Sequence, residues 1–116
     1  MDYDQILENL KRKIYHPVYF LCGEEPYFTD IISDYIEKNV LTESEKGFNQ
    51  SVFYGKDTDI TTVLEACRRF PMMASQQVVL VKEAQAWKDL KPLVKYLQAP
   101  SKTTILVINY KYSKPD

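Results

Sequence analysis

The chain has 116 residues, 45% apolar and 27% charged, with three glycines; this fits one domain around a single core and excludes a disordered segment or a fibrous repeat. Fifteen basic residues against sixteen acidic ones leave a formal charge of -1, and the densest basic cluster is Lys11-Arg12-Lys13, so no stripe exists to neutralise phosphates and little direct binding of DNA or RNA is expected. Two isolated cysteines, Cys22 and Cys67, and one histidine supply too few ligands for a zinc site and lack redox-pair spacing, so both cysteines are expected to be small buried hydrophobes.

In chain order, Tyr3 to about Lys13 carries Ile6, Leu7 and Leu10, with Ile14 beyond, at three-to-four spacing behind an acidic start, which predicts an amphipathic helix. His16-Pro17 breaks it, and Val18 to Cys22 reads as a buried strand ending at Gly23. A second helix starts near Pro26, with Glu24 and Glu25 ahead of it and Phe28, Ile31, Ile32, Tyr35, Ile36 and Val40 as its apolar face. Thr42 to Gly47 reads as its polar exit. Phe48 to Tyr54 predicts a second strand with Phe48, Val52 and Tyr54 inward, although Phe53 interrupts the alternation; Gly55 closes it. Thr58 or Asp59 can cap the next helix, whose stripe is Ile60, Val63, Leu64 and Cys67 and which runs to Arg69.

Pro71 stops that helix, Met72 and Met73 follow at a corner, and Val78 to Val81 is an unbroken aliphatic run of the kind found in strands buried on both faces. Trp87 to Leu97 is a further amphipathic segment through Leu90, Leu93, Val94 and Leu97, with Pro92 shifting the helix start later than Trp87 and Pro100 ending it. Thr103 to Ile108 is a fourth buried strand, and Asn109 to Asp116 a polar tail. A helix followed by four strands separated by three helices implies a mainly parallel sheet covered on both faces, because parallel connections need crossovers. The expected fold is an α/β three-layer sandwich in one domain, residues 1–116. Its stop just after a buried strand is expected of a piece of a longer protein. No apolar run approaches a membrane span, and the acidic start does not fit a secretory signal, so a cytoplasmic location is expected.

In open parallel sheets ligands sit at the carboxyl ends of strands. A phosphate-binding loop after Gly23 would need Gly, Lys and Ser/Thr where Phe28, Thr29 and Asp30 stand, and Glu24, Glu25 and Asp30 would repel phosphate. After the third strand, Lys82 stands where ATPases of this architecture hold magnesium with an acid, leaving Glu83 alone as a solvated or salt-bridged surface residue. A receiver-like phosphotransfer domain could draw its metal acids from Glu24 and Glu25 but has no phosphoacceptor Asp ending the third strand. His16 precedes Pro17 and gives no Ser or Cys an evident base. No catalytic, cofactor-binding or metal-binding residue is assigned, and no ATP binding is expected. A nucleotide-binding or receiver-like phosphotransfer domain is the alternative.

Phe70 to Glu83 carries the functional expectation. Adjacent methionines in a loop cannot both turn easily into one core, so at least one is a candidate for an exposed apolar contact; the other placement, both capping the bottom of the core, stays open on the residues alone. Phe-Pro-Met-Met-Ala-Ser, two polar residues, then Val-Val-Leu-Val-Lys-Glu-Ala, Phe70 to Ala84, resembles the corresponding segment of the delta subunit of bacterial DNA polymerase III. Val18 to Phe28 resembles that family's first strand, glycine and degenerate P-loop, Phe53-Tyr-Gly its second-strand end, and Thr104 to Tyr112 its fourth strand. The resemblance covers nearly the whole chain and rests on several weak segments in the right order.

The resemblance implies the N-terminal domain of a clamp-loader subunit, of AAA+ architecture, that does not hydrolyse ATP, within a parent assembly that is a DNA-directed DNA polymerase. It implies that this domain grips the ring-shaped sliding clamp (the beta subunit) and helps open it during DNA replication, with Met72 and Met73 as the apolar anchor and Phe70 and Pro71 shaping the tip. Other loader subunits would be reached through domains outside this chain. One departure is neutral Gln76-Gln77, where the family often has a basic residue near Gln77.

Overall fold

Four strands, β1 (Val18–Gly23), β2 (Gln50–Tyr54), β3 (Gln77–Lys82) and β4 (Thr104–Lys111), form a sheet in the order β1-β4-β3-β2 with every neighbouring pair parallel. The computed structural model describes residues 3–23 and 26–111. The register aligns Val18 with Leu106, Val79 with Leu106 and Gln50 with Val78, so β3 and β4 lie at the centre with partners on both sides. Their side chains alternate between two cores, as the twofold repeat of a strand requires. Val78, Leu80, Ile105 and Val107 join Tyr19 and Leu21 against Leu10 of α1 (Tyr3–Lys11) and Ile32 and Ile36 of α2 (Pro26–Asn39). Val79, Val81, Leu106 and Ile108 face Val63, Leu64 and Cys67 of α4 (Ile60–Cys67) and Leu93 and Tyr96 of α5 (Lys91–Gln98). The three-layer α/β sandwich is therefore present. Each fully buried aliphatic side chain contributes about 1.5–3 kcal/mol, which concentrates the driving force in the two central strands.

A helix not expected from the sequence, α3 (Glu43–Asn49), occupies the segment read as a polar exit. It begins with a capping box: Glu45 N–H donates to the Thr42 hydroxyl, and the Glu45 carboxylate accepts from Thr42 N–H at 2.9 Å. Phe48 consequently lies on a helix and is 73% exposed, and β2 starts only at Gln50. Val52 and Tyr54 are exposed while Phe53 packs into the α4 core, so the expected facing of this strand is inverted. The reason is a phase change: Phe48 belongs to the helix and cannot set the alternation of the strand.

Other boundaries and faces also move. α1 ends at Lys11 in a Schellman closure, with Ile14 N–H donating to Asn9 C=O at 2.8 Å and Lys13 in the left-handed region, which leaves Ile14 exposed. β1 is an edge strand buried on one face, so Cys22 is exposed, contrary to expectation, whereas Cys67 is buried. In α5, Leu93 and Tyr96 are buried and Val94 and Leu97 are exposed; Pro92 does place the start at Lys91. Asp59 occupies the N-cap of α4 without a side-chain bond. β4 runs on through Asn109 to Lys111, residues assigned to a tail.

A candidate docking tip before the third strand

α4 stops at Cys67, four residues ahead of Pro71. Its last carbonyls are captured by side chains from the sheet. Gln77 Nε2 lies 2.9 Å from Ala66 O, 2.9 Å from Arg69 O and 2.8 Å from Thr104 Oγ1, and the Thr104 hydroxyl donates to Cys67 O at 2.7 Å. These bonds satisfy helix-end acceptors that would otherwise be orphaned inside the fold. Gln77 is only 7% exposed. Of the pair Gln76-Gln77, only half-buried Gln76 is therefore placed for a rim contact.

The chain from Arg68 to Gln76 then projects beyond the amino end of β3. Phe70 is 88% exposed, Met72 57% and Met73 94%, with Pro71 half-buried between them. Neither methionine caps the core, so the exposed placement is the one adopted. Met73 sits in the left-handed region at φ 57, an uncommon conformation for an unbranched residue without local polar bonding. Buried Asn49, the last residue of α3, reaches the base of the tip, with Met72 N–H donating to its Oδ1 at 2.6 Å and its Nδ2 donating to Met72 O at 2.7 Å. Large apolar side chains exposed together on a held loop are the surface expected of a protein-docking anchor.

At the opposite end, the carboxyl ends of β2, β3 and β4 border a cleft of about 290 Å³ lined by Asp30, Ser33, Asp34, Tyr54, Lys82, Glu83 and Asn109. Lys82 Nζ lies 3.5 Å from Glu37, and Glu83 is 3.9 Å from Lys56. Glu83 is thus the salt-bridged surface residue expected. Of the P-loop positions, Thr29 is buried, Asp30 faces the cleft, and Phe28 stacks on Tyr3 at 5.2 Å. Glu24 and Glu25, the acids considered for a receiver-like site, lie outside the described residues. Among the described residues no three His, Cys, Asp or Glu side chains form a group that could hold a metal ion, and no helix is long and apolar enough to cross a membrane.

Residues 19–116 match the sequence profile of the family described as DNA polymerase III, delta subunit. The chain belongs to that family. It is 27% identical over 121 residues to the DNA polymerase III subunit delta of Bacillus subtilis (strain 168), an alignment covering 96% of this chain and 35% of the relative. The solved Bacillus subtilis DNA clamp loader delta protein superposes with a TM-score of 0.87 at 27% identity over 99% of this chain and 37% of that one. This delta-family chain thus spans about a third of the length of the two relatives.

In this delta-family chain, Phe70, Pro71, Met72 and Met73 are brought together as one projecting segment. Two residues that brace the chain around this segment, one at Arg69 and one at Met72, were not picked out from sequence. Gln77 entered only as part of a neutral departure from the family's basic residue near that position, and nothing local marks a glutamine that turns inward to hold a helix end. Asn49 carried no expectation, since the helix that presents it was missed; the Thr42-x-x-Glu45 pattern was the available signal.

Proposed function

We propose that this chain is the clamp-gripping domain of a clamp-loader delta subunit: it binds the ring-shaped sliding clamp through Phe70, Pro71, Met72 and Met73 and helps open the ring during DNA replication, without ATP hydrolysis of its own. The observation that carries this is the tip, where Met73 is 94% and Phe70 88% exposed on a loop whose base is hydrogen-bonded into the fold. Such side chains gain by transfer to an apolar pocket on a partner, at about 1.5–3 kcal/mol for each fully buried side chain. The family membership supports a protein partner within the replication machinery. Contact with other loader subunits falls to the portion of the relatives that this chain does not span, and the work is cytoplasmic.

The acidic cleft supports the non-catalytic part of the reading. Asp30, Asp34 and Glu83 surround it, and Lys82, the lysine among its described lining residues, is turned to Glu37. Phosphate would meet net negative charge there. No observation favours the phosphotransfer alternative.

The test is a binding titration of the chain against the cognate sliding clamp, repeated with Met72→Ala plus Met73→Ala. Truncating exposed side chains should leave unfolding free energy within about 0.5 kcal/mol, while binding weakens at least roughly tenfold, as expected for anchor residues. Clamp affinity that survives the double substitution removes the assignment.

A further inference from the structure

Among the described residues, Asn49 is the side chain that bonds the backbone of Met72 to the body of the fold, while Gln77 holds Arg69 O at the start of the projecting chain. Asn49 is 3% exposed, and its amide is fully engaged: Oδ1 accepts from Met72 N–H at 2.6 Å, and Nδ2 donates to Met72 O at 2.7 Å and to Glu45 O at 3.0 Å. The first two bonds pair a side-chain amide with the N–H and C=O of one residue, as a backbone group on a neighbouring strand would. Among the described residues, the backbone from Phe70 to Gln76 makes no hydrogen bond to another backbone group outside regular elements. The third bond anchors the amide in its own helix, whose start is fixed in turn by the Thr42–Glu45 box. Directly after Met72 comes Met73 in its left-handed conformation. A free loop would abandon that conformation readily.

We infer that Asn49 is a positioning residue for docking: it holds Met72 at both backbone polar groups, so the tip meets its partner with Met73 already projected. This rests on the docking reading. A loop ordered before contact loses less conformational freedom on binding than one that must be ordered by the partner. Asn49 touches the tip's backbone rather than its apolar side chains, so it acts through Met72 and not as an anchor itself.

The experiment is a double-mutant cycle on clamp binding with the whole chain, at a temperature where circular dichroism shows every variant folded. Asn49→Ala alone should weaken clamp binding by about tenfold, the scale of a lost preorganising pair. On the Met72→Ala plus Met73→Ala background the same change should have almost no further effect, because there is no longer an anchor to position. Full additivity, or unchanged affinity in Asn49→Ala while the methionine variant loses binding, overturns the inference and leaves the docking reading intact. Clamp binding that ignores the methionines fails the docking reading instead. Amide hydrogen exchange on the unsubstituted chain tests the holding bond without any variant: Met72 N–H should exchange at least about a hundredfold slower than the Met73 and Ala74 amides. Exchange of Met72 at the rate of its neighbours also overturns it.

Discussion

Gln77→Leu preserves approximate side-chain size and removes both donor hydrogens from a buried amide. Four acceptors lie within 3.3 Å of Nε2: the carbonyls of Ala66, Cys67 and Arg69 and the Thr104 hydroxyl. Two hydrogens cannot serve four acceptors equally, so the substitution does not orphan all of them. Cys67 O keeps the Thr104 hydroxyl at 2.7 Å, and Ala66 O keeps Arg69 N–H at 3.3 Å. Arg69 O loses the bond that held it at 2.9 Å, and Ala66 O loses its shorter one. An unsatisfied buried acceptor costs about 1–3 kcal/mol; Ala66 O keeps one bond and the part-buried Arg69 O can turn in part to water, so each carries only a share of that cost, together about 1.5–3 kcal/mol. Burying the added apolar surface of leucine returns about 1 kcal/mol, so a net loss of about 0.5–2 kcal/mol is expected. Urea denaturation followed by circular dichroism reads this as a lower midpoint with an unchanged slope. A midpoint equivalent to less than about 0.5 kcal/mol of change would refute the account of Gln77 as the keeper of the α4 terminus.

At Gly55, a Cβ would collide with the Glu83 carbonyl oxygen and lie 3.0 Å from Ala84 Cα, both backbone atoms that cannot turn aside; Gly55→Ala should therefore destabilise by about 1–3 kcal/mol in the same denaturation assay, and a neutral effect would mean that β2 is free to shift. Burial pushes the Cys67 thiol from an ordinary 9.0 up to about 12. Above pH 9 the unfolded chain has released a proton that the folded chain keeps, so the contribution is complete below that pH and is lost as pH rises toward 12, at up to about 1.4 kcal/mol per pH unit. Desolvation raises Tyr15, Tyr19 and Tyr96 in the same sense. Urea midpoints should fall from pH 9 to 11, and a rise across that window would contradict the burial. In native protein a thiol reagent should label exposed Cys22 well before Cys67.

Much of the fold was legible because the central strands carry their own pattern: Val78 to Val81 and Ile105 to Ile108 are apolar without interruption, and only strands covered on both faces need that. The edge strands were less legible. β1 and β2 have one covered face each, and in β2 the run Phe48 to Tyr54 mixed the end of a helix with a strand, so the inward set was assigned one residue out of phase. The corner was legible from Pro71 and the paired methionines, but their exposure was not, because burial of both against the core stayed open on the residues alone and only the family resemblance pointed outward. The supports of the tip were not legible either. Asn49 and Gln77 act over 23 and 8 to 27 residues of sequence separation, and a polar residue's partner at that range has no local pattern. The αL backbone at Met73 was likewise invisible, because methionine does not mark it as glycine would.

All four strands run in one direction, which gives the domain a mechanical polarity. The tip lies at the amino end of β3 and the acidic cleft at its carboxyl end, about 20 Å away for six residues of strand. A pull applied at Met72 would run nearly along β3, whose ladders to β2 and β4 are then strained in shear, with many bonds sharing the load rather than opening one after another. Gln77, at the first residue of that strand, splices the end of α4 into the same line of force. Under such a pull the chain would yield last at the sheet and first at the short stretch between Arg69 and Gln77, where, among the described residues, Asn49 is the side chain that ties the backbone back.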